Sequence, residues 1–168
     1  DFLAVSRAAA QLLWNRRIVS GASTITQQLA RTCFERERSF AGKWYEMALA
    51  LRLERELSKD EILELYLNRV HFGPNLIGAR AAADHYFGKP LSSLDLAEAA
   101  TLAALVRGPS LYDPRVRPQL AEQQRNRVLA RMLATHAADE KTVVRAAATP
   151  VEIHPRAPLP GAQHWVRL

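Results

Sequence analysis

The sequence contains 168 residues with a formal net charge of +6, a hydrophobic fraction of 48% and only 7 glycines. This length suits one domain with its own core, and the composition favours a packed, largely helical protein. No apolar run approaches the roughly 20 residues of a membrane-spanning helix, and no signal-peptide pattern is visible.

The cysteine and histidine content and the net charge limit the kinds of site and partner that the protein can have. The single cysteine, Cys33, excludes an internal disulfide and a cysteine-based metal site. The five histidines have no metal-ligand spacing, so we expect no zinc site. The basic charge favours an anionic partner, which could be nucleic acid, anionic lipid headgroups or a diphosphate.

The first predicted element is a helix over residues 2–17, and the second begins in the run GASTITQQLAR, residues 21–31. Thr24 and Gln27 have the spacing of a capping box, which marks a helix start. Thr24, Gln28 and Arg31 then share one face of the second helix, a set that suits a sugar linked to phosphate. We expect an apolar face to dock this helix onto a core, formed by Ile25, Leu29 and Cys33. The alternative interpretation is a capped amphipathic helix with a solvated polar face.

The run GASTITQQLAR resembles the second signature of the peptidoglycan glycosyltransferases, glycosyltransferase family 51. These are the glycan-polymerising domains of class A penicillin-binding proteins and of monofunctional transglycosylases. The resemblance implies an all-α, lysozyme-like helical domain that polymerises lipid II with inversion and releases undecaprenyl diphosphate. It also implies that Ser23, Thr24, Gln28 and Arg31 bind the substrate.

The first residues of the sequence indicate whether the family's general base is included. In this family a Glu-Asp-x-x-Phe signature precedes the first helix, and its glutamate is the general base. The helix start that follows this signature resembles Asp1-Phe2-Leu3, so the glutamate has no counterpart in the sequence. We therefore expect a domain that lacks its N-terminal part and polymerises little or nothing alone.

Residues 32–40 include a run of alternating charges at residues 35–38, which is typical of a solvated surface. In the family this region belongs to a mobile, membrane-proximal jaw, where an arginine eight residues before a key glutamate contacts the substrate phosphates. Arg38 stands at that offset from Glu46. The resemblance thus implies that Arg38 binds the substrate.

A strong helix is predicted over residues 42–57, apolar on nearly all sides and therefore expected to be buried. Lys43 and Glu46 project together from it, either as a structural salt bridge or as part of a site. They match the family's third signature, commonly Arg-Lys-x-x-Glu, with Gly42 in place of the arginine as in the 1C-type subgroup. The resemblance implies that Lys43 binds substrate and that catalytic Glu46 organises the cations, or a divalent ion, at the leaving group.

The remaining helices are predicted from caps and periodicity. Residues 58–68 resemble the family's fourth signature, which we interpret as scaffold, and residues 107–114 resemble its fifth. In the last predicted helix we expect Val128, Leu129, Met132 and Leu133 to face inward and Arg125, Arg127 and Arg131 to face outward. The predicted elements are helices over residues 60–70, 78–87, 96–106 and 120–134, with a turn at residues 71–75.

The predicted domain organisation is a glycosyltransferase domain over residues 1–148 and a Pro-rich linker over residues 149–168, leading to a possible transpeptidase domain in the same parent chain. The resemblance implies lipid II, the growing glycan chain and a membrane surface as partners, at the extracytoplasmic (periplasmic) face of the bacterial plasma membrane. No cofactor is expected, and use of a divalent cation stays open. We expect no nucleic-acid binding, because basic residues are spread among acidic ones. A lysozyme-like glycan hydrolase and a non-catalytic basic helical binding domain are the alternatives.

Overall fold

The computed structural model describes residues 23–33 and 40–154, so the predicted helix over residues 2–17 and Arg38 lie outside the described residues. The described part is mostly helical, which confirms the all-α class. Within these ranges, each helix is too short or too polar to span a bilayer. Its α-helices are α1 (Ile25–Cys33), α2 (Phe40–Glu56), α3 (Lys59–Arg69), α4 (Ala79–Phe87), α5 (Leu96–Leu105), α6 (Pro118–Ala134) and α7 (Glu140–Ala148).

The chain forms two compact units whose boundary in sequence lies between Val70 and His71. In the first unit, α1 packs against both α2 and α3. Helix α3 begins with the predicted capping box: the Glu61 amide donates to Ser58 Oγ at 3.3 Å, and the Ser58 amide donates to Glu61 Oε2 at 2.8 Å. The buried apolar residues of this unit include Leu29, Ala30, Met47, Ala50, Ile62 and Tyr66.

Helix α1 starts where predicted but is buried on a different arc. Thr24 Oγ1 accepts from the Gln27 amide at 3.2 Å, whereas the Gln27 side chain does not complete the box. Leu29 is buried as predicted, but Ile25 is 45% exposed, so the expected apolar face is wrong there. Because α2 and α3 both pack on this helix, the buried arc also takes in Thr26 and Gln27.

Helix α2 is buried on one face only, which corrects the expectation that it is buried all round. Lys43, Met47 and Ala50 are buried, whereas Trp44 is 51% exposed and Leu51 is also exposed. Among the described elements, α1 and α3 are those that pack on α2, and they cover a single side.

The second unit opens with a small antiparallel hairpin, β1 (His71–Gly73) and β2 (Leu76–Ile77), where the sequence predicted only a turn. Asn75 makes the reversal with a φ of 56°, in the left-handed region that asparagine tolerates. Helix α4 ends at Gly88, which has a φ of 63°. Its backbone amide donates a hydrogen bond to the Asp84 carbonyl, so Gly88 forms a left-handed C-cap.

Helix α5 is the core of the second unit, as its apolar sequence predicts. Asp95 and Glu98 form a complete capping box at its start. Helices α6 and α7 pack against it. Its buried residues are Ala97, Ala100, Thr101, Leu102, Ala104 and Leu105.

Two side chains of α6 differ from the prediction. Leu133, expected inward, is exposed, and Arg125, expected outward, is fully buried. The guanidinium of Arg125 donates to the carbonyl of Ala147 at 3.0 Å and to that of Thr149. The cause is α7, a helix that the sequence analysis missed, since its C-terminal carbonyls meet Arg125.

After α7 the chain runs without regular structure over residues 150–154. The amide of His154 donates to the carbonyl of Tyr86 at 2.9 Å. The described start of the predicted linker is therefore packed on the second unit, and its later prolines lie outside the described residues.

Candidate functional site

A single carboxylate, that of Glu46 on α2, gathers two cations in the first unit. Arg31, in the last turn of α1, donates from Nε to Oε1 at 2.9 Å and from Nη2 to Oε2 at 3.1 Å. Lys43 Nζ, one turn before Glu46, donates to Oε2 at 2.9 Å and to Ser23 Oγ at 3.0 Å. Ser23, Arg31, Lys43 and Glu46 thus form one hydrogen-bonded group, which we name the Glu46 cluster.

The Glu46 cluster is charged at neutral pH. Burial raises the pKa of the Glu46 carboxyl, but the hydrogen bonds from Arg31 and Lys43 outweigh it, and the pKa lies below its ordinary value of 4.5. The hydrogen bond to Glu46 raises the pKa of Arg31. Two cations against one carboxylate leave one surplus positive charge.

The exposed fraction of the side chains in the Glu46 cluster rises from Lys43 to Arg31. The Lys43 side chain is 7% exposed, that of Glu46 19% and that of Arg31 45%. Lys43 is therefore an anchored buried cation, and Arg31 presents its guanidinium to solvent. A surplus positive charge beside an exposed guanidinium attracts anions such as phosphate.

Gln28 is held at both ends of its amide. Nε2 donates to the carbonyl of Ser23 at 3.4 Å, and Oε1 accepts from the hydroxyl of Tyr66 at 3.0 Å. Burial raises the pKa of Tyr66, so that its hydroxyl stays protonated and able to donate. The sequence analysis missed Tyr66, although a tyrosine on the buried face of α3 needs a partner for its hydroxyl. Thr24 contributes the cap of α1.

A cavity of about 620 Å³ opens beside Ser23 and Thr24. Its described walls come from the start of α1, the end of α2 and the start of α3, and they include the pair in which Thr26 Oγ1 donates to Glu54 Oε1 at 2.7 Å. Of the Glu46 cluster, only Ser23 is among the described residues that line it. Ser23 therefore joins the cavity to the cluster.

The structure brings most of the predicted site residues together. Arg31, Lys43 and Glu46 share the cluster with Ser23, and Gln28 is bonded to Ser23. Within the described ranges, no group of three or more histidine, cysteine, aspartate or glutamate residues could hold a metal ion.

Comparison with known proteins supports the same family. A family model described as Transglycosylase matches residues 1–133. The chain is 45% identical over 152 residues to penicillin-binding protein 1A of Pseudomonas aeruginosa, which covers 90% of the chain and 18% of that protein. It is 48% identical over 134 residues to penicillin-binding protein 1A of Aquifex aeolicus, covering 79% of the chain and 18% of that protein.

A solved structure agrees with these sequence matches. The crystal structure of penicillin-binding protein 1A from Haemophilus influenzae, at 2.6 Å resolution, matches with a TM-score of 0.56 and 27% identity. The match covers 89% of the chain and 20% of that protein. The chain therefore spans about a fifth of the length of these relatives, and the 1C-type resemblance of Gly42 stays a prediction. With a matching family model over most of its residues, the chain belongs to the transglycosylase family, as the peptidoglycan glycosyltransferase motifs in its sequence predicted.

Proposed function

We propose that this chain carries the diphosphate-binding part of a site that polymerises lipid II into glycan strands. The observation that carries the proposal is the Glu46 cluster, in which one carboxylate orders two cations from two helices beside Ser23. The family membership supports the reaction class.

The chemistry explains why cations are needed. In an inverting transfer, a base deprotonates the acceptor 4-hydroxyl on one side of the sugar while the diphosphate leaves on the other. Diphosphate is a good leaving group, so it needs stabilisation of its developing charge more than a proton. Arg31 and Lys43 supply positive charge, and we assign the same role to Arg38. The base is assigned to none of the described residues.

The other residues orient the substrate. Ser23 accepts a hydrogen bond from Lys43, and Gln28 is fixed by Tyr66, so both are pre-positioned for sugar or phosphate oxygens. Thr24 lines the cavity beside them and adds a hydroxyl. Glu46 is the catalytic residue of the proposal, because it aligns both cations against the leaving group.

A test separates this proposal from a purely structural salt bridge. In the full-length encoded protein, Glu46→Gln removes the charge that aligns Arg31 and Lys43. We expect polymerisation of lipid II to fall at least about a hundredfold, the scale of losing one electrostatic contact at a reacting group. The melting temperature should stay within a few degrees of the wild-type value.

Glu56→Gln is the matched control, since Glu56 ends the same helix in an exposed pair with Arg52. It should leave both polymerisation and melting temperature unchanged. Wild-type turnover in Glu46→Gln would refute the proposed role, and release of reducing ends from preformed glycan would favour the hydrolase instead.

We further propose a membrane surface and the growing glycan chain as partners, at the extracytoplasmic face of the bacterial plasma membrane. The support is a row of exposed apolar residues on α2, Trp44, Ala48 and Leu51, which we name the Trp44 stripe. We also propose a division of the chain into a glycosyltransferase domain, residues 1–148, and a linker towards a possible transpeptidase domain, residues 149–168.

A further inference from the structure

The side chain of Gln27 on α1 is fully buried and has no hydrogen-bond partner among the described residues. Its relative exposure is 0%, and within residues 23–33 and 40–154 Nε2 has no acceptor and Oε1 has no donor. Its backbone amide takes part in the helix cap, donating to Thr24 Oγ1. In this respect it differs from its neighbour Gln28, whose amide is bonded at both ends.

The helix places Gln27 between the two residues through which α1 bonds to α2. Thr26 donates to Glu54, and Arg31 donates to Glu46, so both side chains point at α2. With 3.6 residues per turn, Gln27 projects about 100° from Thr26 and about 40° from Arg31. The position of Gln27 on α1 therefore faces the side of α2 that carries Glu46, one turn from Arg31.

An unpartnered buried amide is a stability cost. Leaving its donor and acceptor unsatisfied costs about 1–3 kcal/mol, whereas an apolar side chain of the same shape would avoid that loss. Such a cost at a residue beside a charged cluster is typical of a functional site, where local stability is given up for activity. The hydrogen bonds of the resting structure therefore do not explain why residue 27 carries an amide.

We propose that Gln27 is a positioning residue for Glu46, with its amide Nε2 donating to the Glu46 carboxylate when the exposed Arg31 turns one N–H group from Glu46 towards the leaving diphosphate. In the resting cluster Arg31 and Lys43 satisfy the carboxylate. Once that N–H group of Arg31 binds a phosphate oxygen, Glu46 loses one donor, and a neutral amide replaces it without withdrawing positive charge from the diphosphate. This inference rests on the proposed function.

The test replaces the amide by an apolar group of similar shape. Gln27→Met, in the full-length encoded protein, should melt at the wild-type temperature or above it. Its kcat on lipid II should fall about tenfold with little change in KM, because the loss is in alignment during the transfer step. Gln27→Asn keeps an amide that is one carbon shorter and should lower kcat similarly. The matched control is Leu29→Met, a buried, volume-conserving change on the same helix that should leave kcat unchanged.

The two proposals fail in different ways. Wild-type kcat in both Gln27 variants, alongside a large loss in Glu46→Gln, would overturn the role of Gln27 and leave the proposed function intact. Wild-type kcat in Glu46→Gln would overturn the proposed function itself. A lower kcat accompanied by an equal loss in Leu29→Met would assign Gln27 to packing and overturn the inference.

Discussion

Arg125 shows how one residue can hold the end of a helix. Its guanidinium is fully buried on α6 and donates to the carbonyls of Ala147 and Thr149 at the end of α7, and to Asn126 Oδ1. Burial lowers the pKa of Arg125. The charge of Glu122 acts in the opposite direction, from an ion pair whose atoms lie 3.6 Å apart. The C-terminal carbonyls carry the negative end of the helix dipole, so they partly compensate the buried charge.

Removing this guanidinium should destabilise the chain. Arg125→Met leaves the Ala147 and Thr149 carbonyls without their donor, and we expect the free energy of unfolding to fall by about 2 kcal/mol. Urea unfolding measures the change. Arg131→Met, six residues further on the same helix and exposed, should change it by less than about 0.5 kcal/mol. Equal losses in the two variants would contradict the role of Arg125.

The segment between α5 and α6 is fastened to α4 by a set of polar contacts. Arg115 forms a fork with Asp113, Nε to Oδ1 at 3.1 Å and Nη2 to Oδ2 at 2.8 Å, and its Nη1 also bonds to His85 Nε2. Its guanidinium lies 5.2 Å from the ring centre of the buried Tyr86. Because arginine only donates, Nε2 of His85 must accept, so the contact requires a neutral imidazole.

This contact predicts a pH dependence for the second unit. Burial, and then the charge of Arg115, lower the pKa of His85 below its ordinary value of 6.5. A lowered folded-state pKa means that the unfolded chain binds the proton more readily. The contribution to stability is therefore present above pH 6.5 and is lost as the pH falls from there through the folded-state pKa. Urea unfolding from pH 7.5 to 5 should show this loss, and His85→Gln should flatten it; an unchanged slope in that variant would exclude His85 as its source.

At the scale of helices, the sequence predicts what local contacts decide. The capping boxes at Ser58 and Asp95 are complete, since each needs only residues three positions apart. Helix α7 was missed, although Asp139 caps it by accepting from the Thr142 amide at 2.9 Å. Its nine residues are short for a periodicity signal, and the burial of Arg125 depends on it.

In the candidate site, too, the sequence predicts contacts within one helix better than contacts between helices. Lys43 and Glu46 lie one turn apart, so their pairing could be predicted from spacing. The bond from Arg31 crosses from α1 to α2 and rested on the family resemblance, while the partner role of Tyr66 depends on how α3 packs. Likewise, the exposure of Trp44 depends on which elements cover α2, which the apolar content of that helix does not tell.

At the scale of the whole molecule, the charge and the Trp44 stripe suit the same surface. Trp44, Ala48 and Leu51 are spaced four and three residues apart, so they share one side of α2. Tryptophan is favoured at the boundary between headgroups and hydrocarbon. The net charge of +6 adds an attraction to anionic lipids that salt weakens.

The proposed membrane contact through the Trp44 stripe predicts how the chain behaves towards lipid vesicles. The double variant Trp44→Ser and Leu51→Ser removes apolar area worth at least about 1.4 kcal/mol on burial, so its affinity for phosphatidylglycerol vesicles should fall about tenfold in co-sedimentation. Val144→Ser, an exposed apolar residue on α7, keeps the charge and serves as the matched control with unchanged affinity. Higher salt should weaken wild type and control alike, because it screens the charge and leaves the stripe in place. If the double variant bound as tightly as the control, the Trp44 stripe would not be a membrane contact.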